Sequence, residues 1–106
     1  MAGQRPQAFV AVLLIELHFP ENGDLKGKRK ELQSVKSQLQ RRHGVSVAEI
    51  DHHDLWQRAT LLASLTGGSE ARVDAAADGV ERWLGWRFPD GVRVERTLAS
   101  LEDLEG

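Results

Sequence analysis

The sequence predicts an α+β fold, a four-stranded antiparallel sheet with two helices packed on one face. Three observations predict it. Four segments have the length and apolar patterning of strands, two longer segments repeat apolar residues at helical spacing, and the order along the chain is β-α-β-β-α-β. With 106 residues, 41% hydrophobic and 28% charged, the chain has the size and balance of a single globular domain. The domain is expected to span 1–106, with its core at about 8–98 and loose tails at 1–7 and 99–106.

The first strand is Phe9 to Phe19. Phe9, Ala11, Leu13, Ile15, Leu17 and Phe19 share one face, while Val10, Val12 and Leu14 and then Glu16 and His18 share the other. A strand apolar on one face throughout and on the other for half its length suits the centre of a sheet. Pro20, Asn22 and Gly23 end it. Asp24 is placed to cap a helix running to about His43, with Gly44 as its stop. Leu25, Lys28, Leu32, Val35, Leu39 and His43 form its inward stripe.

A second strand is expected over Val45 to His52, then a loop through Gln57 and a third strand from Arg58 to Thr66. Gly67 and Gly68 break it, and Ser69 caps a helix reaching about Gly85. Its stripe is Val73, Ala76, Ala77, Val80, Trp83 and Leu84. Pro89, Asp90 and Gly91 turn the chain into a last strand, Val92 to Leu98. Each helix then connects two parallel strands with a third between them, and both crossovers are right-handed. This is the ferredoxin-like, split βαβ pattern.

Composition excludes several classes of function. No cysteine is present, so disulfides, thiolate nucleophiles and zinc–thiolate sites are out. The apolar run Ala8 to Ile15 is far shorter than the ~20 residues a membrane helix needs, so no membrane partner is expected. No cofactor-binding motif is present, and no cofactor is expected. Net charge is −2, but it is unevenly spread. Eight basic and four acidic residues precede Gly44, whereas six basic and twelve acidic residues follow from there on.

The stretch Asp24-Leu25-Lys26-Gly27-Lys28-Arg29, followed by Val47-Ala48-Glu49-Ile50-Asp51-His52-His53-Asp54-Leu55-Trp56-Gln57-Arg58, resembles the bacterial YlxP-like family, a domain of unknown function. Members carry Ser-Leu-Lys-Glu-Lys-Arg and then Val-Ala-Glu-(Val/Ile)-Asp-His-Gln-Asp-Leu-Trp-Gln-Arg. Here Asp24 replaces Ser, Gly27 replaces Glu and His53 replaces Gln, and Asp24 keeps the capping role. The resemblance covers about Phe9 to Leu98. It implies a cytoplasmic bacterial protein of ferredoxin-like fold. The family's gene neighbourhood, among genes for transcription, translation initiation and ribosome maturation, implies a ribosome- or RNA-linked role. It supplies no catalytic residues.

The residues themselves offer three candidate sites. Lys26, Lys28, Arg29 and Lys30 crowd the start of the first helix, where each cation opposes the helix dipole at a cost of ~0.3–1 kcal/mol. With Lys36, Arg41 and Arg42 they form a track suited to phosphates of structured RNA or the ribosome. The bland alternative is a solvated face paired with the acidic second half of the chain. Lys28 falls inside the apolar stripe and is expected to be structural, snorkelling to water or reaching Glu16 or Asp51.

The second candidate is Glu49, Asp51, His52, His53 and Asp54. These residue types can ligate a metal and support a metal-dependent hydrolase, but adjacent His52 and His53 on a strand point to opposite faces. The alternatives are a turn in which Asp51 or Asp54 caps backbone N–H groups and pairs with Arg58, or a partner contact made by Asp51, His52, His53, Asp54, Trp56 and Arg58. The third candidate is Trp56, either a lid over one end of the core or a partner anchor. Trp83 belongs to the core, and Trp86 is expected to cover the sheet edge near Phe88.

Arg58 to Thr66 holds no aromatic residue and Tyr is absent, so base stacking on the sheet in the manner of RNA-recognition domains is not expected. The uncovered sheet face would expose Val10, Val12, Leu14 and Leu62, and a homodimer packed through it is expected. The main expectation is a non-enzymatic module binding structured RNA. A self-associating or protein-partner module is the first alternative and the metal-dependent hydrolase the second.

Overall fold

A computed structural model describes residues 5–20 and 23–106. Along these residues the chain forms β1 (Phe9–His18), α1 (Leu25–His43), β2 (Ser46–Asp51), β3 (Arg58–Gly67), α2 (Glu70–Arg87), β4 (Val92–Ser100) and α3 (Leu101–Glu105). The strands make one antiparallel sheet in the order β2-β3-β1-β4. Thus β3 lies between the strands joined by α1, and β1 lies between those joined by α2. The expected ferredoxin-like α+β sandwich is present.

Local chemistry explains the elements. The Asp24 side chain accepts from the Gly27 N–H at 2.6 Å, which satisfies one of the orphan donors at the start of α1. Gly44 ends α1 in the left-handed conformation, φ 64°, where a side chain would be strained. Ser69 caps α2 through the Arg72 N–H. The odd-numbered residues of β1 and β3, Ala11, Leu13, Ile15, Leu17, Ala59, Leu61, Ala63 and Leu65, are buried beneath the helices. Leu32, Val35 and Leu39 of α1 and Val73, Ala77, Val80, Trp83 and Leu84 of α2 close the core from above. At one end Phe19 and Phe88 meet edge to face, ring centroids 5.6 Å apart.

Some elements depart from the sequence expectation. Ala76 is exposed rather than in the α2 stripe. Trp86 is 75% exposed and covers no sheet edge, because it lies off the buried side of α2. Of the expected tails, residues 1–4 lie outside the described residues, as does Asn22 of the first turn. The acidic C-terminal tail is ordered into local structure. The chain adds two residues to β4 beyond Leu98, and Ser100 and Asp103 then form a capping box that starts α3. The Leu101 N–H donates to the Ala8 carbonyl, and Arg5 pairs with Glu105.

His43 sits where α1 meets α2, its ring centroid 6.3 Å from that of Trp83. Its Nε2 is buried without a partner among the described residues. Burial first, then the positive charges of Arg42 and Arg82, push its pKa below the usual 6.5. The fold therefore prefers neutral His43, whereas the unfolded chain protonates it below pH 6.5. Stability from this group is complete above pH 6.5 and declines as pH falls through the lowered native value. Thermal melts between neutral and mildly acidic pH are expected to show this decline, and His43→Leu is expected to flatten it.

Candidate nucleic-acid interface

Helical geometry sorts the cations of α1. Lys26, Arg29, Lys30, Arg41 and Arg42 are exposed and Lys36 is half-buried, all on or beside the face turned from the sheet. The remaining exposed positions of that face, Gln33, Ser34 and Gln40, are uncharged. The one carboxylate of the helix, Glu31, is drawn aside by Arg87 of α2 at 2.7 Å. Among the described residues, none of Lys26, Arg29, Lys30, Lys36, Arg41 and Arg42 takes part in an ion pair. A helix of 19 residues is about 28 Å long at 1.5 Å per residue, enough to follow several phosphates.

The acidic second half does not neutralise this face. Arg96 of β4 gathers three carboxylates of α2: Asp74 at 2.7 Å, Asp78 at 2.8 Å, and Glu81 through Nε at 2.7 Å. Partial burial works against the charge of Arg96. Hydrogen bonds to Asp78, Glu81 and Asp74 outweigh it and hold the guanidinium more firmly protonated than usual. The acidic stripe of α2 is thus turned toward its own strand.

Lys28 must be removed from the phosphate-contacting set. It is 1% exposed. Its Nζ donates to the carbonyls of His52 and Leu55, each at 2.5 Å, and lies 3.6 Å from Glu49 Oε2. It neither snorkels to water nor reaches Glu16 or Asp51. It ties the β2–β3 loop to the start of α1, because these two loop carbonyls need a donor and Lys28 supplies it.

The second candidate cluster is divided between the two faces of the sheet. A bulge in β2 makes Ile50 the extra residue, so Glu49 stands opposite Leu61 and Asp51 opposite Thr60. Glu49 therefore faces the helices and Lys28, while Asp51 turns to the open face of the sheet. Asp51 accepts from the His52 N–H at 2.7 Å, as a turn-forming aspartate does. His52, at φ 62°, places Nδ1 2.8 Å from Thr60 Oγ1. His53 reaches back only to Glu49, at 3.9 Å. Among the described residues no three His, Asp or Glu side chains gather as a metal-ligand set. The expected pairing of Asp51 or Asp54 with Arg58 does not form either. Arg58 lies opposite His18 at the end of β1. Trp56 is 50% exposed, which is not the closed lid.

The open face carries Val10, Val12 and Leu14 of β1, only partly buried, beside Leu62 of β3, 38% exposed. No helix among the described residues is long and apolar enough to cross a membrane. The model of the family described as "Protein of unknown function (DUF503)" matches residues 10–100. The chain belongs to the DUF503 family. It is 29% identical over 80 residues to "Uncharacterized protein YlxP" of Bacillus subtilis (strain 168), covering 76% of this chain and 83% of that protein. The resemblance carried by the two motifs is therefore a family relationship. Among solved structures, "De novo designed protein Foldit4" shares the fold, with a TM-score of 0.53 at 11% identity over 85% of this chain and 96% of that one. Within the matched residues, Glu49 to Arg58 builds the bulge, the loop held by Lys28 and the start of β3.

Proposed function

We propose that this DUF503 protein is a non-enzymatic cytoplasmic module that contacts structured RNA or the ribosome through the exposed cationic face of α1. The single observation that supports the reading is that Lys26, Arg29, Lys30, Arg41 and Arg42 stay exposed and without ion pairs among the described residues. Glu31, Glu49, Asp74, Asp78, Glu81 and Glu105 pair with other basic groups instead. Three of these cations sit in the first two turns, where the dipole disfavours them unless an anion arrives. Binding of this kind reads shape and charge, which agrees with a sheet that offers no aromatic for stacking.

Fluorescence anisotropy with a structured ribosomal RNA fragment at several salt concentrations tests it. Affinity is expected to fall steeply with salt. Joint replacement Arg29→Gln, Lys30→Gln and Arg41→Gln should reduce the slope of log K against log salt by about 2–3, near 0.7–0.9 per lost phosphate contact. A salt-independent affinity, or an unchanged slope in that variant, would refute the reading.

A second reading, self-association, is favoured by the partly exposed apolar band Val10, Val12, Leu14 and Leu62 on the uncovered sheet face. Isologous packing of two such faces would bury it. Sedimentation velocity across a concentration range decides, and a strict monomer at all concentrations excludes it.

A further inference from the structure

We infer that the polar end of the open sheet face is a binding site for a small phosphomonoester with a hydroxyl-bearing body, such as a sugar phosphate. It lies across the sheet from α1 and does not depend on the RNA reading. Here the ends of β1, β3 and β4 and the β2–β3 loop surround a cavity of about 240 Å³. Glu16, His18, His52, Arg58, Thr60 and Arg93 supply its functional groups. The register explains their convergence. Arg58 stands opposite His18, and Arg93 opposite Glu16, on the two strands flanking β1. Strands two apart in a sheet are about 10 Å apart, so both guanidinium groups can lean over β1 toward one anion.

Three features separate this place from ordinary surface. First, neither the Arg58 nor the Arg93 side chain has an ion pair or hydrogen bond among the described residues; the exposed arginines of α1 share that state, but here two such guanidinium groups flank one strand beside one cavity. Guanidinium groups bind phosphate through paired, charge-assisted bonds. Second, His52 is the one non-glycine among the described residues at positive φ, and it is held there from three sides. Asp51 takes its N–H, Lys28 its carbonyl, and Thr60 its ring Nδ1. Backbone held so firmly in a sparsely populated conformation is characteristic of ligand clamps. Third, the wall opposite is built by close backbone approach. The His18 N–H donates to the Gly91 carbonyl, and a Cβ on residue 91 would lie 2.7 Å from the His18 oxygen.

The acidic lining narrows the ligand class. Glu16 and Asp90 balance the two arginines, so the cavity is not a sink for any anion. Glu16 is an acceptor suited to hydroxyl donors beside the phosphate. The volume admits a phosphate and a body the size of a pentose, below the range of sites that enclose drug-sized ligands.

Titration of ¹⁵N-labelled protein with ribose 5-phosphate, followed by amide shifts, tests the site. Shifts are expected at residues 16–18, 58–60 and 91–93, and ribose alone should give none. Arg58→Gln with Arg93→Gln should weaken binding at least about 10-fold. Both side chains are exposed, so the melting temperature of the double variant should stay unchanged. The α1 variant that tests RNA binding should retain the ribose 5-phosphate shifts, so the two readings fail separately. A short RNA with a 5′-phosphate, tested in competition beside its 5′-hydroxyl form, shows whether a nucleic-acid end or a free metabolite supplies the phosphate, and competition or its absence is each compatible with the site. No shifts with ribose 5-phosphate, or equal shifts in the double arginine variant, would overturn the inference.

Discussion

Replacing Lys28 with methionine is expected to lower the free energy of unfolding by about 3–5 kcal/mol, the range for removing one partner of a buried charged network. The side chain is almost wholly enclosed, and its ammonium holds the carbonyls of His52 and Leu55 at 2.5 Å each. Methionine fills similar space but donates nothing. Two backbone acceptors and the Glu49 carboxylate would then be left without their cation, and hydrogen bonds to a charged donor contribute about 1.5–3 kcal/mol each. The carbonyls cannot be removed by a second substitution, so no apolar replacement restores the balance. Glu49→Gln is expected to cost less than about 1 kcal/mol, because that contact is longer, at 3.6 Å, and partly exposed. Urea denaturation of the two variants checks both values. A Lys28→Met protein within about 1 kcal/mol of wild type would show that the loop does not depend on this lysine.

The second large effect is expected in β1. Leu13→Ala should destabilise by about 3–4 kcal/mol, because Leu13 is fully buried in the central strand and leaves a cavity that its neighbours cannot fill. Leu14→Ala, one residue along, should cost only about 1 kcal/mol in the monomer, since its side chain lies on the open face beside Leu62 and Glu95. The contrast reads strand register directly, because adjacent residues face opposite ways. It also reports on self-association. If a second copy covers the open face, the cost of Leu14→Ala rises with protein concentration, whereas that of Leu13→Ala is large at all concentrations. Denaturation curves at two concentrations distinguish these cases.

Much of the fold was legible in the residues. Period-two alternation in Phe9–Phe19 and Arg58–Thr66, helical stripes after Asp24 and Ser69, and glycines at 44, 67 and 68 mark the elements closely. Those signals are local. Each rests on capping chemistry or on which side of one element is apolar. The C-terminal α3 was missed because its five residues carry too short a period to register, although Ser100 and Asp103 spell its capping box. Trp86 was misplaced because a large aromatic near a helix end says nothing about whether a neighbour is there to cover it.

The candidate sites were less legible, for a different reason. Arg58 was visible as part of a distinctive motif, but Arg93 and Thr60 were not singled out, and only the strand register brings them together with Glu16. The single-residue bulge at Ile50 reverses the facing of everything after it in β2. The carboxylates that look like one cluster in the sequence therefore end on opposite faces of the sheet.

The sequence by itself determined the order of elements, the helix caps and the concentration of positive charge in α1, since all of these depend on neighbours within a few residues. Only the tertiary structure decided that Lys28 is a buried strut rather than a phosphate contact, that the carboxylates of α2 turn to Arg96, and that two unpaired arginines overlook one cavity. Charges act through space, and distances across a sheet or between a helix and a loop are set by packing rather than by separation along the chain.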